Sequence, residues 1–218
     1  MPRLLLASGS PRRRELLQLL GVPFQIILPQ AHEASVRCTD GARLASILAE
    51  MKALSVNRQT DEDIIVAADT VVLLRHQILG KPADAASARN MLADLRRGEH
   101  QVITGLAVVR PRISTPLVQA IDTRVWMRQY SDEEMAHYIA RGEPFDKAGA
   151  YAIQDPEFRP VERLQGCYAN VMGLPLCHLF AILTRMRLSL TEPPQAACEA
   201  HTGRSCPVAD RILGSGSR

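Results

Sequence analysis

Aromatic side chains are scarce in this 218-residue chain: one Trp, four Tyr and four Phe make up 4 % of it. A core must therefore be built from Leu, Val, Ile, Ala and Met. Long apolar runs are absent too; none approaches the roughly 20 residues that span a bilayer. The few apolar residues of Met1 to Ala7 precede Arg12, Arg13 and Arg14, the reverse of the order in a secretory signal. No membrane partner is expected. The five cysteines are odd in number and scattered, which without an export signal reads as free thiols in a reducing cytoplasm. Charge of one sign is also missing: Lys+Arg 26 against Asp+Glu 23 leaves +3, too little to argue for nucleic-acid binding, although a local basic pocket is compatible with it. What is present, 46 % hydrophobic and 22 % charged residues, is the composition of a globular chain of one domain or two small lobes.

Short apolar runs alternate with amphipathic stretches, a pattern that predicts an α/β fold. Leu4 to Ala7 reads as a buried strand. Ser8-Gly9-Ser10 forms a tight loop, and Ser10-Pro11 starts a helix with Ser as cap and Pro in the first turn. That helix stops at Gly21, and Phe24 to Leu28 is a second strand. Leu44, Ile47, Leu48 and Met51 mark a further helix. Ile64 to Ala68 and Val71 to Leu74 read as strands interrupted by Asp69-Thr70. A helix runs from near Asp84 to Gly98. Val102 to Val109 and Leu117 to Met127 are expected to pair antiparallel. Ser131 and Glu134 make a capping box for a helix that stops at Gly142. A last helix begins at Pro175. Thr191 to Arg218 is rich in Pro, Gly and Ser and reads as a flexible tail, leaving residues 1–190 as the ordered domain.

Four segments carry chemistry. Around Ser8, Ser10, Arg12 and Arg13, a Gly/Ser loop opens a helix, whose free N–H groups favour anions. Guanidinium forks suit phosphate. The ordinary reading is a capped helix with solvated arginines, which leaves three cations opposing the helix dipole unexplained. Asp69 and Thr70 lie between apolar runs, where a carboxylate needs a partner; a hairpin turn is the ordinary alternative. Lys52 and Gly80-Lys81-Pro82 add cations, and Glu33 follows the second strand; solvated side chains explain each of these equally well. The stretch from Asp146 to Gln154 is rich in small residues, suited to backbone approach or to a packing turn. Cys198-x2-His201-x4-Cys206 shows three ligands where a structural zinc site takes four. His100 and His178 read as core or capping residues.

Together these segments resemble the Maf family of nucleoside triphosphate pyrophosphatases. The matching stretches are Ser8-Gly9-Ser10-Pro11-Arg12-Arg13, Ala68-Asp69-Thr70-Val71-Val72, Gly80-Lys81-Pro82, His100-x-Val102-x-Thr104-Gly105, Asp146-Lys147-Ala148-Gly149-x-Tyr151-x-Ile153-Gln154 and Val171-x-Gly173-Leu174-Pro175. The resemblance implies an α/β fold with a mixed β-sheet in two lobes around a deep cleft, related in shape to inosine triphosphate pyrophosphatases. It implies a homodimer, a divalent cation (Mg2+ or Mn2+), and hydrolysis of a nucleoside triphosphate to the monophosphate and pyrophosphate. Arg12, Thr70 and Gln154 match the branch acting on dTTP and UTP, where the 7-methyl-GTP branch has Trp, Gln and Glu. His32 stands where an acidic residue is usual, and Gln154 to Pro160 replaces a glycine-rich stretch.

The residue chemistry agrees with that reaction. Ser8, Ser10, Arg12, Arg13, Lys52 and Lys81 would bind the triphosphate. Asp69 would act as general base or metal ligand, Glu33 would join it on the cation, and Thr70 and Gln154 would read the base. The alternatives are a non-catalytic nucleotide-binding regulator of cell division and a purine house-cleaning enzyme; intact Asp69, Lys52 and Lys81 oppose the first, and Arg12, Thr70 and Gln154 the second.

Overall fold

Leu4–Ala7 (β1) pairs with a parallel neighbour on each edge, Phe24–Ile27 (β2) and Ile64–Leu74 (β3), and is buried on both faces, Leu4 and Leu6 packing on one side of the sheet and Leu5 and Ala7 on the other. The structure, a computed structural model, describes residues 3–57, 63–96, 98–110, 115–188, 190 and 192–214. Among them a mixed sheet of seven strands runs in the order β2-β1-β3-β5-β6-β7, with Glu99–Val109 (β5), Leu117–Met127 (β6) and Val161–Gln165 (β7) antiparallel in succession. Gln77–Leu79 (β4) hairpins back onto the far end of β3. The expected α/β class, the mixed sheet and the antiparallel pair are all present.

Side chains alternate across β3 with period two. Ile65 and Ala67 face helix Gly41–Asn57 (α2), which meets them with the small side chains Ala49 and Ala53 and with Val56. Ile64, Val66, Ala68 and Val72 face the larger core, shared with Leu16 and Leu17 of Pro11–Gln18 (α1), Leu92 of Ala85–Leu95 (α3) and Met135 of Asp132–Ala140 (α4). Aliphatic residues supply most of this core, with Tyr138 and Phe158 stacked at 4.3 Å between ring centroids. The expected caps are in place. Ser10 accepts from the Arg13 N–H, and Ser131 and Glu134 bond reciprocally at the start of α4.

Two expectations need correction. Asp69-Thr70 does not interrupt a strand; β3 runs through both residues, paired with Gly105 and Thr104 of β5. The polar pair is tolerated because β1 covers only residues 64–66 of the other edge and β4 only 72–74, so the edge between them is open for a cavity. The segment beyond Leu190 is not a tail without packed structure in its described part. Beyond Leu176–Arg185 (α6) it forms helices Gln195–Thr202 (α7) and Ala209–Gly214 (α8), and buries Cys198, Val208 and Ala209. Its own composition is poor in apolar residues, but Cys198 and Val208 complete a core that the preceding domain already supplies. Pro194 and Gly203 bracket α7. The strand β7 and the short helix Tyr168–Met172 (α5) were not expected from the sequence.

The unusual stretch after Gln154 is held from within. Asp155 has a side chain only 4 % exposed. It takes the Arg141 guanidinium fork at 3.2 and 2.8 Å and the backbone N–H groups of Glu157 and Phe158. Burial works to raise its pKa, but the Arg141 hydrogen bonds and the two N–H groups outweigh it, so the carboxyl titrates below its ordinary value. A depressed folded-state pKa gives stability that is complete above the unfolded value and lost as pH falls through the folded one. Asp155→Asn should therefore lower Tm by roughly 5 °C near neutrality. The gap to wild type should persist to about pH 4 and close only below it; thermal melts across pH check this, and a gap independent of pH would refute the charge argument.

Candidate active site

The cavity lies where β3 has no strand beside it. Two adjoining hollows of about 200 and 290 Å³ share the walls Ser10, Arg12, Arg13, Glu33, Lys52, Lys81 and Asp146. Asp69, Thr70 and Gln154 line the first, and Ser8 the second. All ten residues singled out from the sequence thus converge on one cleft, outside the carboxyl end of β1, where open α/β sheets place their ligands. One wall comes from the β1–α1 loop, α2 and β3. The opposite wall comes from residues 146–154 and α5. A separate cavity of about 370 Å³, lined by Cys167, Cys198 and Cys206 with Tyr168 and Arg204, shares none of these residues.

Local sequence accounts for each placement. Ser8 to Ser10 turn the chain at the end of β1: the Ser10 N–H donates to Ser8 Oγ at 3.2 Å, and Ser10 caps α1. The helix start then projects Arg12 and Arg13 into the cleft. Arg13 is anchored by three acceptors: Nε donates to the Gly173 carbonyl (2.9 Å), Nη1 to Ser8 Oγ (3.4 Å) and Nη2 to Thr70 Oγ1 (3.1 Å). Burial lowers its pKa, opposed by Asp69 and Glu33, yet a guanidinium remains charged at neutral pH. Gly173 ends α5 at φ 112°, and a Cβ there would press on Arg13 Nε and Thr70 Oγ1, both at 3.3 Å. Arg12 instead reaches across the cleft to Asp146 at 3.1 Å.

Lys52 is brought down by the small-residue face of α2. Its ammonium pairs with the Asp69 carboxylate and lies 3.2 Å from Glu33 Oε1, so one cation bridges both carboxylates expected to hold a metal. Among the described residues, no group of three or more His, Cys, Asp or Glu side chains is placed to hold a metal ion. That applies to Cys198, His201 and Cys206. The pair Glu33 and Asp69 still suits a hard cation, because Mg2+ is commonly held by one or two carboxylates together with substrate phosphates. Lys81 lines both hollows and is exposed.

The sequence reading assigned no role to Asp146 or Lys147, although their segment stood out. Asp146 takes Arg12 and, at 2.6 Å, Lys147; Lys147 also bonds the Glu143 carbonyl and lies 3.2 Å from its carboxylate. Burial works to raise the Asp146 pKa, but Lys147 and Arg12 hold it below the ordinary value. Gln154 has an unusual position: its amide oxygen is buried with no hydrogen-bond partner among the described residues, while the side chain lines the cleft. His100 is a core residue as expected. Its Nε2 meets the Tyr151 hydroxyl at 2.7 Å, and burial pushes its pKa down to about 4, so the ring is neutral.

Residues 3–186 match a family model described as Maf-like protein. A dTTP/UTP pyrophosphatase of Thermomicrobium roseum is 45 % identical over 208 residues, 94 % of each chain. One of Alkaliphilus metalliredigens is 43 % identical over 184 residues, covering 84 % of this chain and 95 % of its own. Among solved structures, a HAM1 protein from Coxiella burnetii aligns with 85 % of this chain and 100 % of its own, at 16 % identity and a TM-score of 0.47. Among the described residues no helix is long and apolar enough to cross a membrane.

Proposed function

The chain belongs to the Maf family, and from that premise we propose that it hydrolyses dTTP and UTP to the monophosphate and pyrophosphate. The observation that carries the reading is the cleft itself: one buried carboxylate faces cations drawn from four separate segments, with the Gln154 side chain at the far wall. A triphosphate needs distributed positive charge, and positioning with electrostatic stabilisation dominates phosphoryl transfer. Arg13, Lys81 and the Ser8–Ser10 loop bind the phosphates. Asp69 takes the proton of the water that attacks the α-phosphorus, and pyrophosphate leaves. Glu33 and Asp69 are the residues that would hold a divalent cation, Mg2+ or Mn2+, which would neutralise phosphate oxygens. The acting species is a homodimer, as the family resemblance implies, and sedimentation in solution checks it.

Base choice follows from Gln154. The Gln154 amide lines the cleft and offers a donor and an acceptor side by side, matching a ring carbonyl and the N3–H of uracil or thymine, whereas cytosine N3 carries no proton. The test is a panel of dTTP, UTP, CTP, GTP and 7-methyl-GTP with each cation, following pyrophosphate release. The wild type should favour dTTP and UTP. Gln154→Glu removes the amide donors and adds a charge, so it should lose about tenfold or more of kcat/KM on both while pyrophosphate affinity is unchanged. A preference for 7-methyl-GTP would overturn the assignment of the base. Nucleotide binding without turnover would overturn the reaction.

A further inference from the structure

Counting protons around Thr70 changes what that residue can do. A hydroxyl has one proton to give and two lone pairs to receive with. Thr104 Oγ1 donates to the Asn170 carbonyl at 3.0 Å, which uses its only proton. The 2.9 Å contact between Thr70 Oγ1 and Thr104 Oγ1 must then be a donation from Thr70. Arg13 Nη2 in turn donates to Thr70. The chain runs in one direction, Arg13 to Thr70 to Thr104 to Asn170, and Thr70 has no proton left for a base.

The far end of this chain is rigid. Thr104 faces Thr70 in register on β5 and is fully buried, as is Asn170. The Asn170 side-chain amide donates to the Val102 carbonyl and to Thr123 Oγ1, each at 3.0 Å, which pins α5 to β5 and β6. The same short helix ends at Gly173, whose carbonyl takes Arg13 Nε. Three of the five guanidinium N–H groups are thereby committed, and one N–H on each Nη is left for the cleft that Arg13 lines. Hydrogen bonds in such a directed chain reinforce one another.

We propose that Thr104 is a positioning residue for Arg13, acting through Thr70 to set the plane of the guanidinium fork that receives the phosphates. On this account Thr70 also serves phosphate binding, and toward a base it can act only as an acceptor, through its remaining lone pair. The proposal rests on the pyrophosphatase reading only in that Arg13 binds phosphate.

The experiment compares wild type, Thr104→Val, Thr104→Ser, Thr70→Val, Arg13→Lys and the Arg13→Lys/Thr104→Val pair. Pyrophosphate affinity is measured by calorimetry, and kcat and KM are measured on UTP, dTTP and CTP. Thr104→Val should weaken pyrophosphate binding and kcat/KM by about three- to tenfold, by the same factor for each nucleotide. Thr104→Ser should restore both. Thr70→Val should weaken pyrophosphate binding as Thr104→Val does, and adding Thr104→Val to Arg13→Lys should cost nothing more. Should Thr104→Val not fold, Thr104→Ala is measured against Thr104→Ser in the same way. Unchanged pyrophosphate affinity in Thr104→Val overturns the proposal, as does a wild type that binds no pyrophosphate. A change in the UTP to CTP ratio on Thr104→Val also overturns it. Because calorimetry needs no turnover, a wild type that binds pyrophosphate yet hydrolyses nothing refutes the reaction and leaves Thr104 to be decided by affinity.

Discussion

Asp69→Asn should abolish pyrophosphate release while the protein stays folded. Asp69 sits in mid-strand with its side chain 12 % exposed, and its carboxylate pairs with the Lys52 ammonium that also meets Glu33. Asparagine keeps the shape and one oxygen for Lys52, and Glu33 still balances the ammonium, so packing has little reason to fail. What is lost is the negative charge and the proton acceptor. Removal of a positioned general base costs about 10²- to 10⁴-fold in rate, and loss of a cation ligand acts in the same direction. Nucleotide affinity should be partly retained, since the phosphate-binding groups come from α1 and the Lys81 loop. Turnover, Tm and nucleotide binding on one preparation check the claim; near-normal turnover by a folded Asp69→Asn protein would remove Asp69 from the chemistry.

Gly105→Ala should damage both stability and activity, although Gly105 touches no substrate. It pairs with Asp69 across β3 and β5, on the face that receives α2. A Cβ there would come within 2.1 Å of the Ala45 carbonyl oxygen and 2.7 Å of the Ser46 nitrogen. Both are helix backbone, with no flexible side-chain end to yield, so α2 must lift. Overpacking of this kind costs about 1–3 kcal/mol, occasionally more, which corresponds to a Tm loss of roughly 2–12 °C at this chain length. Because α2 also carries Lys52, the shift separates the ammonium from Asp69 and Glu33, and kcat should fall with it. Wild-type Tm and turnover in Gly105→Ala would show that the helix can be displaced without cost, contrary to this account.

Much of the site was legible in one dimension because its parts are local. Ser10 with Pro11 can only start a helix, and a helix start beside a Gly/Ser turn places Arg12 and Arg13 where an anion would bind. Asp146 and Lys147 lacked such a signal. Their segment is notable in sequence for small residues, and only its fold across the cleft brings Asp146 to Arg12, 134 positions away. The packing of the C-terminal segment is hidden for a similar reason: local composition measures what a segment can bury by itself, and Cys198 and Val208 bury themselves against residues elsewhere in the chain.

The sequence by itself determined the α/β class, the caps of α1 and α4, and which residue types assemble a polyanion site, because periodicity and capping act within a few residues. Tertiary structure decided the rest. It ran β3 unbroken through Asp69 and left an open edge between β1 and β4, which turned an apparent hairpin tip into the floor of a cleft. It joined Lys52 to two carboxylates, and it spent the Thr70 proton on Thr104. These are outcomes of strand register and helix approach, set by contacts between residues far apart in the chain; hydrogen bonds have direction, and direction exists only once both partners are in place.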